Sequence, residues 1–308
     1  LSAVVHLTPR QAKPYPANLM LPDSRLVQQR LGGTWPELFD TEAVVNRFPG
    51  LGAAWWYAAV LLLGWVVYPF TRLALRGLPD RGYPLARLAG MLALAWPVWL
   101  LGSYRVPFSR LTVSIVFALL LAANLALAYV QRKSLAGELR GRWKYFLLVE
   151  ALFMAFFLVF LLVRLGNADL WHPWKGGEKP MDFSYFNAVL KSTAFPPYDP
   201  WFAGGYINYY YYGFVLTGVL VKWLGIVPSI AYNLILPTLY ALLAAGAFSV
   251  GWNLMSAAQA ETSSRGRPAF GGVLADLRRG PLLAGLGAAL AAAVMGNLGS
   301  VRMIWHGL

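Results

Sequence analysis

The sequence predicts an all-α fold, a polytopic transmembrane bundle of about seven helices with a long exoplasmic loop containing short membrane-parallel helices. Three observations lead there. Of 308 residues, 58% are hydrophobic and only 13% charged, with a mean hydropathy of +0.52, far more apolar than a soluble domain. The apolar residues gather into seven runs, each close to the roughly 20 residues a membrane-spanning helix requires. The chain carries 26 Lys and Arg against 13 Asp and Glu, a net charge of +13, and the cations sit in short loops between those runs. That distribution is the positive-inside pattern of a membrane protein, so no nucleic-acid partner is expected.

In chain order, residues 1–50 mix Pro, Gly and charge around one short helical pattern, Asp23 to Leu31, and read as an exoplasmic polar segment ending a preceding region. No signal-peptide pattern is visible there. Residues 51–164 hold four runs, at about 52–73, 84–103, 109–130 and 143–164; residues 208–308 hold three more, at about 208–224, 228–252 and 281–304. All should be helical, because a segment in lipid must satisfy its own backbone hydrogen bonds. The chain begins at Leu1 and its last apolar run reaches Leu308, so a longer parent protein is expected.

Orientation follows from Lys and Arg in short loops. Arg72, Arg76, Arg81 and Arg87 face one acid, Asp80; Arg132, Lys133, Arg140, Arg142 and Lys144 face Glu138. Both loops should be cytoplasmic, which places the nearly neutral 165–207 loop outside, at the plasma membrane. Strict alternation over seven spans then puts 255–280 outside too, although Arg265, Arg267, Arg278 and Arg279 outnumber Glu261 and Asp276. Either the rule fails there, or the fifth or sixth run does not span; Pro237 in the sixth would permit a break.

With no Cys there is neither a disulfide nor a thiolate metal site, and His6, His172 and His306 are too scattered for metal-ligand spacing. Among polar residues in the runs, Glu150 can reach the interface or pair with a neighbouring helix. Asn124, Asn233 and Asn297 should hydrogen-bond between helices, and Lys222-Trp223 has the form of an interfacial anchor. His172 lies between two tryptophans and reads as a headgroup contact.

Chemistry concentrates in the 165–207 loop and the tyrosine run after it, Tyr206-Ile207-Asn208-Tyr209-Tyr210-Tyr211-Tyr212-Gly213. The turn around Gly176-Gly177-Glu178-Lys179-Pro180 leads to Asp182 at an expected N-cap, after which Phe183, Phe186, Val189 and Leu190 repeat at helical spacing. That helix, about 183–193, should lie in the interface with its apolar face in lipid. Asp199-Pro200 has the form of another helix start. Both acids can be caps, or Asp182 can act as a general base. The tyrosines can form an interfacial belt, or some of them, together with Asn208, can bind a sugar or phosphate.

EKPMDFSYFNAVLKS, PPYDPWFAGG and YINYYYYG resemble the signature of the YYY-motif family of integral membrane proteins, a domain of unknown function in bacteria and archaea. QQRLGGTWPELFD and the WW-led first helix are also similar. That family in turn resembles the GT-C superfamily of glycosyltransferases, which use polyprenyl-phosphate-linked sugars. The resemblance implies a membrane glycosyltransferase module of the cell envelope with a GT-C-like fold, the donor bound among membrane lipids and the acceptor unknown. Asp182 best matches the catalytic acid, with Glu178 and Asp199 as further candidates; Lys179 and Tyr209, Tyr210, Tyr211 and Tyr212 would bind donor phosphate or sugar. It implies no certain cofactor but admits a divalent cation, Mg or Mn. GT-C acids are commonly adjacent, whereas Glu178 and Asp182 are separated by three residues, and a further downstream motif would lie beyond Leu308. The competing reading is a non-enzymatic transporter or envelope scaffold.

Overall fold

The computed structural model describes residues 20–170, 178–264, 279–295 and 302. Readings of His6, His172, His306, Asn297, the turn at Gly176-Gly177 and the charges between 265 and 278 lie outside those residues. Among the described residues the structure is helical, with only two isolated β-bridges besides. Three short helices, α1 (Asp23–Arg30), α2 (Trp35–Leu38) and α3 (Val44–Arg47), precede the apolar ones. Then come α4 (Pro49–Ala74), a 3₁₀ turn at Tyr83–Leu85, α5 (Ala86–Ser103), α6 (Arg110–Val130) and α7 (Arg132–Gly166). The remaining helices are α8 (Lys179–Lys191), α9 (Tyr212–Leu224), α10 (Pro228–Ser264) and α11 (Arg279–Ala293).

Five of these are long and apolar enough to cross a membrane: α4, the 3₁₀ turn continued by α5, α6, α7 and α10. The sequence leads to about seven; for the fifth run the difference is physical, and the seventh extends past the described residues. Helix α9 has 13 residues, so at 1.5 Å per residue it measures about 20 Å, against about 30 Å of hydrocarbon. The apolar run looked longer because Tyr209 to Tyr211 extend it, but these precede the helix, and Tyr210 has φ +23°. The described part of the last run, α11, has 15 residues. Pro237 does not break α10, which continues through it to Ser264. Within α7 the backbone leaves helical geometry at Arg142, φ −124°, next to where the apolar run begins.

Contacts divide the chain into two compact units. Unit 1 comprises Leu1–Trp56, Met91–Leu119 and Asp169–Tyr232; unit 2 comprises Tyr57–Gly90, Leu120–Ala168 and Asn233–Leu308. Unit 2 has an aromatic core in which Tyr68, Tyr83, Tyr145, Phe146 and Phe248 pack with Val149 and Ala244, the rings of Tyr83 and Phe146 4.4 Å apart at 73°. Gly90 lets α5 close on α4, since a Cβ there would stand 2.8 Å from the Leu63 carbonyl oxygen. Glu150 takes the helix-pairing role: it accepts from the Arg87 guanidinium and the Tyr83 hydroxyl. Asn233 also joins helices, its Oδ1 2.8 and 2.6 Å from the Nε and Nη2 of Arg164 on α7. Asn124 departs from expectation, its Nδ2 donating to Leu120 O of its own helix at 2.9 Å.

In unit 1 the described residues ahead of α4 do not stand apart from the loop. Gln29 on α1 is buried; its Nε2 donates to the carbonyls of Ala194 (3.0 Å) and Pro196 (3.2 Å), and its Oε1 accepts from Thr193 N at 2.8 Å. Asn46 likewise donates to Gly225 O at 2.9 Å and accepts from Val227 N at 2.9 Å. A buried amide that matches donor and acceptor in this way leaves no polar atom stranded. Helix α8 buries Phe186, Val189 and Leu190, and Gly218 of α9 lies against all three. The apolar face of α8 therefore packs on protein, where the sequence placed it in lipid. Phe186 also meets the edge of Tyr232.

Candidate functional site

The site is built on the first turn of α8. The helix starts at Lys179, with Glu178 preceding it and Pro180 in its first turn, where Pro forfeits no hydrogen bond. Asp182 is therefore not the N-cap the sequence suggested. Its backbone N–H already bonds to Glu178 O at 2.9 Å, and its carboxylate makes no hydrogen bond or ion pair among the described residues. The four-residue spacing that separates Glu178 from Asp182 puts both on one helix face. Burial, and secondly the charge of Glu178, push the Asp182 carboxyl above its ordinary range. The helix N-terminus opposes this by favouring negative charge, but the two raising effects win.

A second wall comes from residues 197–207, which fold back as a short hairpin. Tyr198 and Tyr206 form a bridge, and Ile207 N donates to Pro197 O at 2.9 Å. Asp199 does not start a helix: its Oδ1 accepts from Trp201 N (2.8 Å) and Phe202 N (3.2 Å), so it caps the hairpin turn. That duty occupies one oxygen and makes Asp199 a supporting group. Trp201, at the tip, returns to α8 and donates from Nε1 to Ser184 Oγ at 2.9 Å.

The tyrosine run divides by direction. Tyr211 accepts from Trp99 Nε1 at 3.1 Å, and Tyr212 meets the Trp99 ring at 5.4 Å, so both are packed against α5. Tyr209 and Tyr210 are exposed and stack edge to face at 4.1 Å. Tyr210 lies within electrostatic reach of the acids: desolvation first, then Asp182 and Glu178, push its phenol up. Tyr185, one turn past Asp182, feels the charge of Asp199 after its own desolvation. Glu178, Asp182, Tyr185, Asp199 and Tyr210 thus form one linked cluster. Tyr185 and Trp201 were missed at the sequence level; the i, i+3 spacing of Tyr185 from Asp182 was the available signal. Asn208 is exposed and Lys179 half-buried, and among the described residues neither side chain makes a hydrogen bond or ion pair to the cluster.

Beside the cluster, Phe183 and Asn187 of α8 line a groove of about 410 Å³ whose other wall is Trp35, Pro36, Phe39 and Val227–Ser229. It is apolar and aromatic with a few polar groups, the composition of a small-molecule or lipid-chain site. The resemblance admitted a divalent cation, but among the described residues no group of three or more His, Asp or Glu side chains comes together. Among the described residues, Glu178 and Asp182 alone do not make a metal-holding set.

No curated protein and no solved structure matches this chain. A family model does, over residues 93–308, a stretch that contains the whole cluster of acids and tyrosines, and its description is an uncharacterized membrane protein. The chain belongs to that family of membrane proteins, DUF2298.

Proposed function

We propose that this chain is a membrane glycosyltransferase module, moving a sugar from a polyprenyl-phosphate donor in the bilayer to an acceptor hydroxyl on the exoplasmic face of the plasma membrane. The observation that carries the reading is Asp182: a half-buried carboxylate with its pKa pushed up, no hydrogen-bond duty, and a phenol within reach. A carboxylate so placed is suited to take a proton from an incoming hydroxyl. The acceptor oxygen attacks the anomeric carbon, its proton passes to Asp182, and the bond from carbon to phosphate oxygen breaks, leaving polyprenyl phosphate. Tyr210 can donate to a phosphate oxygen, and the aromatic groove next to Phe183 suits the isoprenoid chain. The i, i+4 placement of Glu178 and Asp182 supplies the paired acids that the sequence seemed to lack.

Charge supports the orientation. With α9 too short to cross, five passes (α4, α5, α6, α7 and α10) precede the segment after α10, which joins the two other basic loops on the cytoplasmic side. Arg265, Arg267, Arg278 and Arg279 then obey the positive-inside rule, and the tension over 255–280 disappears. The chain has no Cys, so single-cysteine labelling is clean. Ala203→Cys should react with a membrane-impermeant maleimide in intact cells, and Ser264→Cys only after permeabilisation; the reverse would overturn the orientation.

The activity test is transfer from a polyprenyl-phosphate sugar by purified protein reconstituted in lipid. Wild-type turnover with at least a hundredfold loss in Asp182→Asn is expected. Full activity in that variant would remove Asp182 from the role of base, and no turnover with any such donor would remove the reading itself.

A further inference from the structure

A second cavity in unit 1, of about 360 Å³, shares no residue with the acid and tyrosine cluster. Its lining includes Pro107 to Leu111 at the start of α6, Lys222 near the end of α9, and Glu37 with Leu38. Three sources of positive potential converge on it. Lys222 is 2% exposed, and its ammonium donates to Phe108 O at 2.6 Å and Ser192 O at 3.2 Å while sitting 4.0 Å from the Phe108 ring centroid. Arg110 donates from Nε to Lys222 O at 2.9 Å and from Nη2 to Leu38 O. The third source is the N-terminus of α6, where Ser109 Oγ accepts from Thr112 N at 3.2 Å and the amides of Arg110 and Leu111, which line the cavity, have no intrahelical acceptor.

The negative charge at hand does not balance this. Neither Lys222 nor Arg110 forms an ion pair among the described residues. Glu37, the acid in the lining, is turned to Thr34, whose backbone N–H it accepts at 2.5 Å in a capping box. The carbonyl end of α9 offsets part of the Lys222 charge, yet an ammonium has three donors and two carbonyls use two. Burial first, then the charges of Lys191 and Arg110, lowers the Lys222 pKa to about 7, and an anion in the adjoining cavity favours the charged ammonium. The chemistry is that of a tetrahedral oxyanion: a helix N-terminus, a guanidinium and an ammonium together are a phosphate cradle. Leu31, Leu38, Pro107 and Leu111 add an apolar margin, which a lipid headgroup would use and free phosphate would not.

We propose that this cavity is a binding site for a phosphate group, separate from the Asp182 cluster and independent of the glycosyltransferase reading. The test uses purified protein in phosphate-free maltoside micelles, titrated in one arm with inorganic phosphate and in the other with dihexanoyl phosphatidic acid. Binding is followed by calorimetry and by the thermal midpoint. Saturable binding of either probe supports the site. Binding of phosphatidic acid alone identifies a headgroup, and comparable binding of both identifies the free anion. The deciding variant is Ser109→Asp, because Asp is as good an N-cap as Ser while placing a carboxylate at the cavity. It should weaken both probes at least tenfold while keeping or raising the ligand-free midpoint, since it supplies the missing counter-charge internally. If the wild type binds neither probe saturably, or Ser109→Asp binds them as the wild type does, the proposal is wrong.

Discussion

Buried charge is handled in opposite ways in the two units. In unit 2 Arg72 is held by Glu138, 2.5 Å from its Nε, and by Gln131 and Ser134 at 2.6 Å each, while Arg87 meets Glu150 and lies 4.2 Å from the centre of the Phe153 ring. Each cation has a carboxylate and the carboxylates have further donors, so the charges are paired within the unit, closed in that sense, and read as structural, although among the described residues the buried Arg87 Nε has no hydrogen-bond partner. In unit 1 the charges are open: Asp182 has no cation, and Lys222 has carbonyls but no anion. Open charge beside a cavity is where a ligand gains most, and both functional proposals rest in that unit for this reason.

The comparison predicts a hierarchy of costs. Glu150→Ala should be the most damaging, destabilising by about 3–5 kcal/mol because Arg87 is left buried without its partner. Replacing Arg87 and Glu150 together by Met should recover much of that loss, measured by denaturant titration in micelles. A double variant no better than the single one would mean that the pair is not a closed unit. Lys222→Met should cost less, about 1–3 kcal/mol, since it strands two carbonyls but also removes an unpaired charge. If the two single variants cost the same, the distinction between closed and open charge fails.

The same contrast explains what the sequence could reveal. Long apolar runs are local, and α4, α5 and α6 appear within about three residues of where composition put them, whereas α7 begins at Arg132, well ahead of its apolar run. Glu150 was legible as a helix-pairing acid because an intramembrane carboxylate needs a partner. Lys222 was not legible: read beside Trp223 it looks like an anchor, and only Phe108 and Ser192, distant in sequence, reveal it as buried. The start of α8 was missed because Gly176-Gly177 and Pro180 signal a turn, whereas Pro fits within the first turn of the helix. That four-residue shift changes Asp182 from a cap into a free carboxylate. The tyrosine run was conspicuous, but its division into two packed and two exposed rings depends on Trp99 and on the φ of Tyr210.

The smallest predicted effect probes the open acid directly. Because the Asp182 carboxyl is raised in the folded protein, by burial first and by Glu178 second, the folded state holds that proton more tightly than the unfolded chain does. The associated stability is present below the ordinary Asp range and is lost as pH rises through the higher folded value. Wild type should therefore show a slight fall in its unfolding midpoint across that acidic window. Asp182→Asn, which cannot ionise, should flatten that slope and match or slightly exceed the wild type at neutral pH. Identical profiles in wild type and variant would mean that Asp182 is ordinary solvated surface, and the case for it as a poised base would end there.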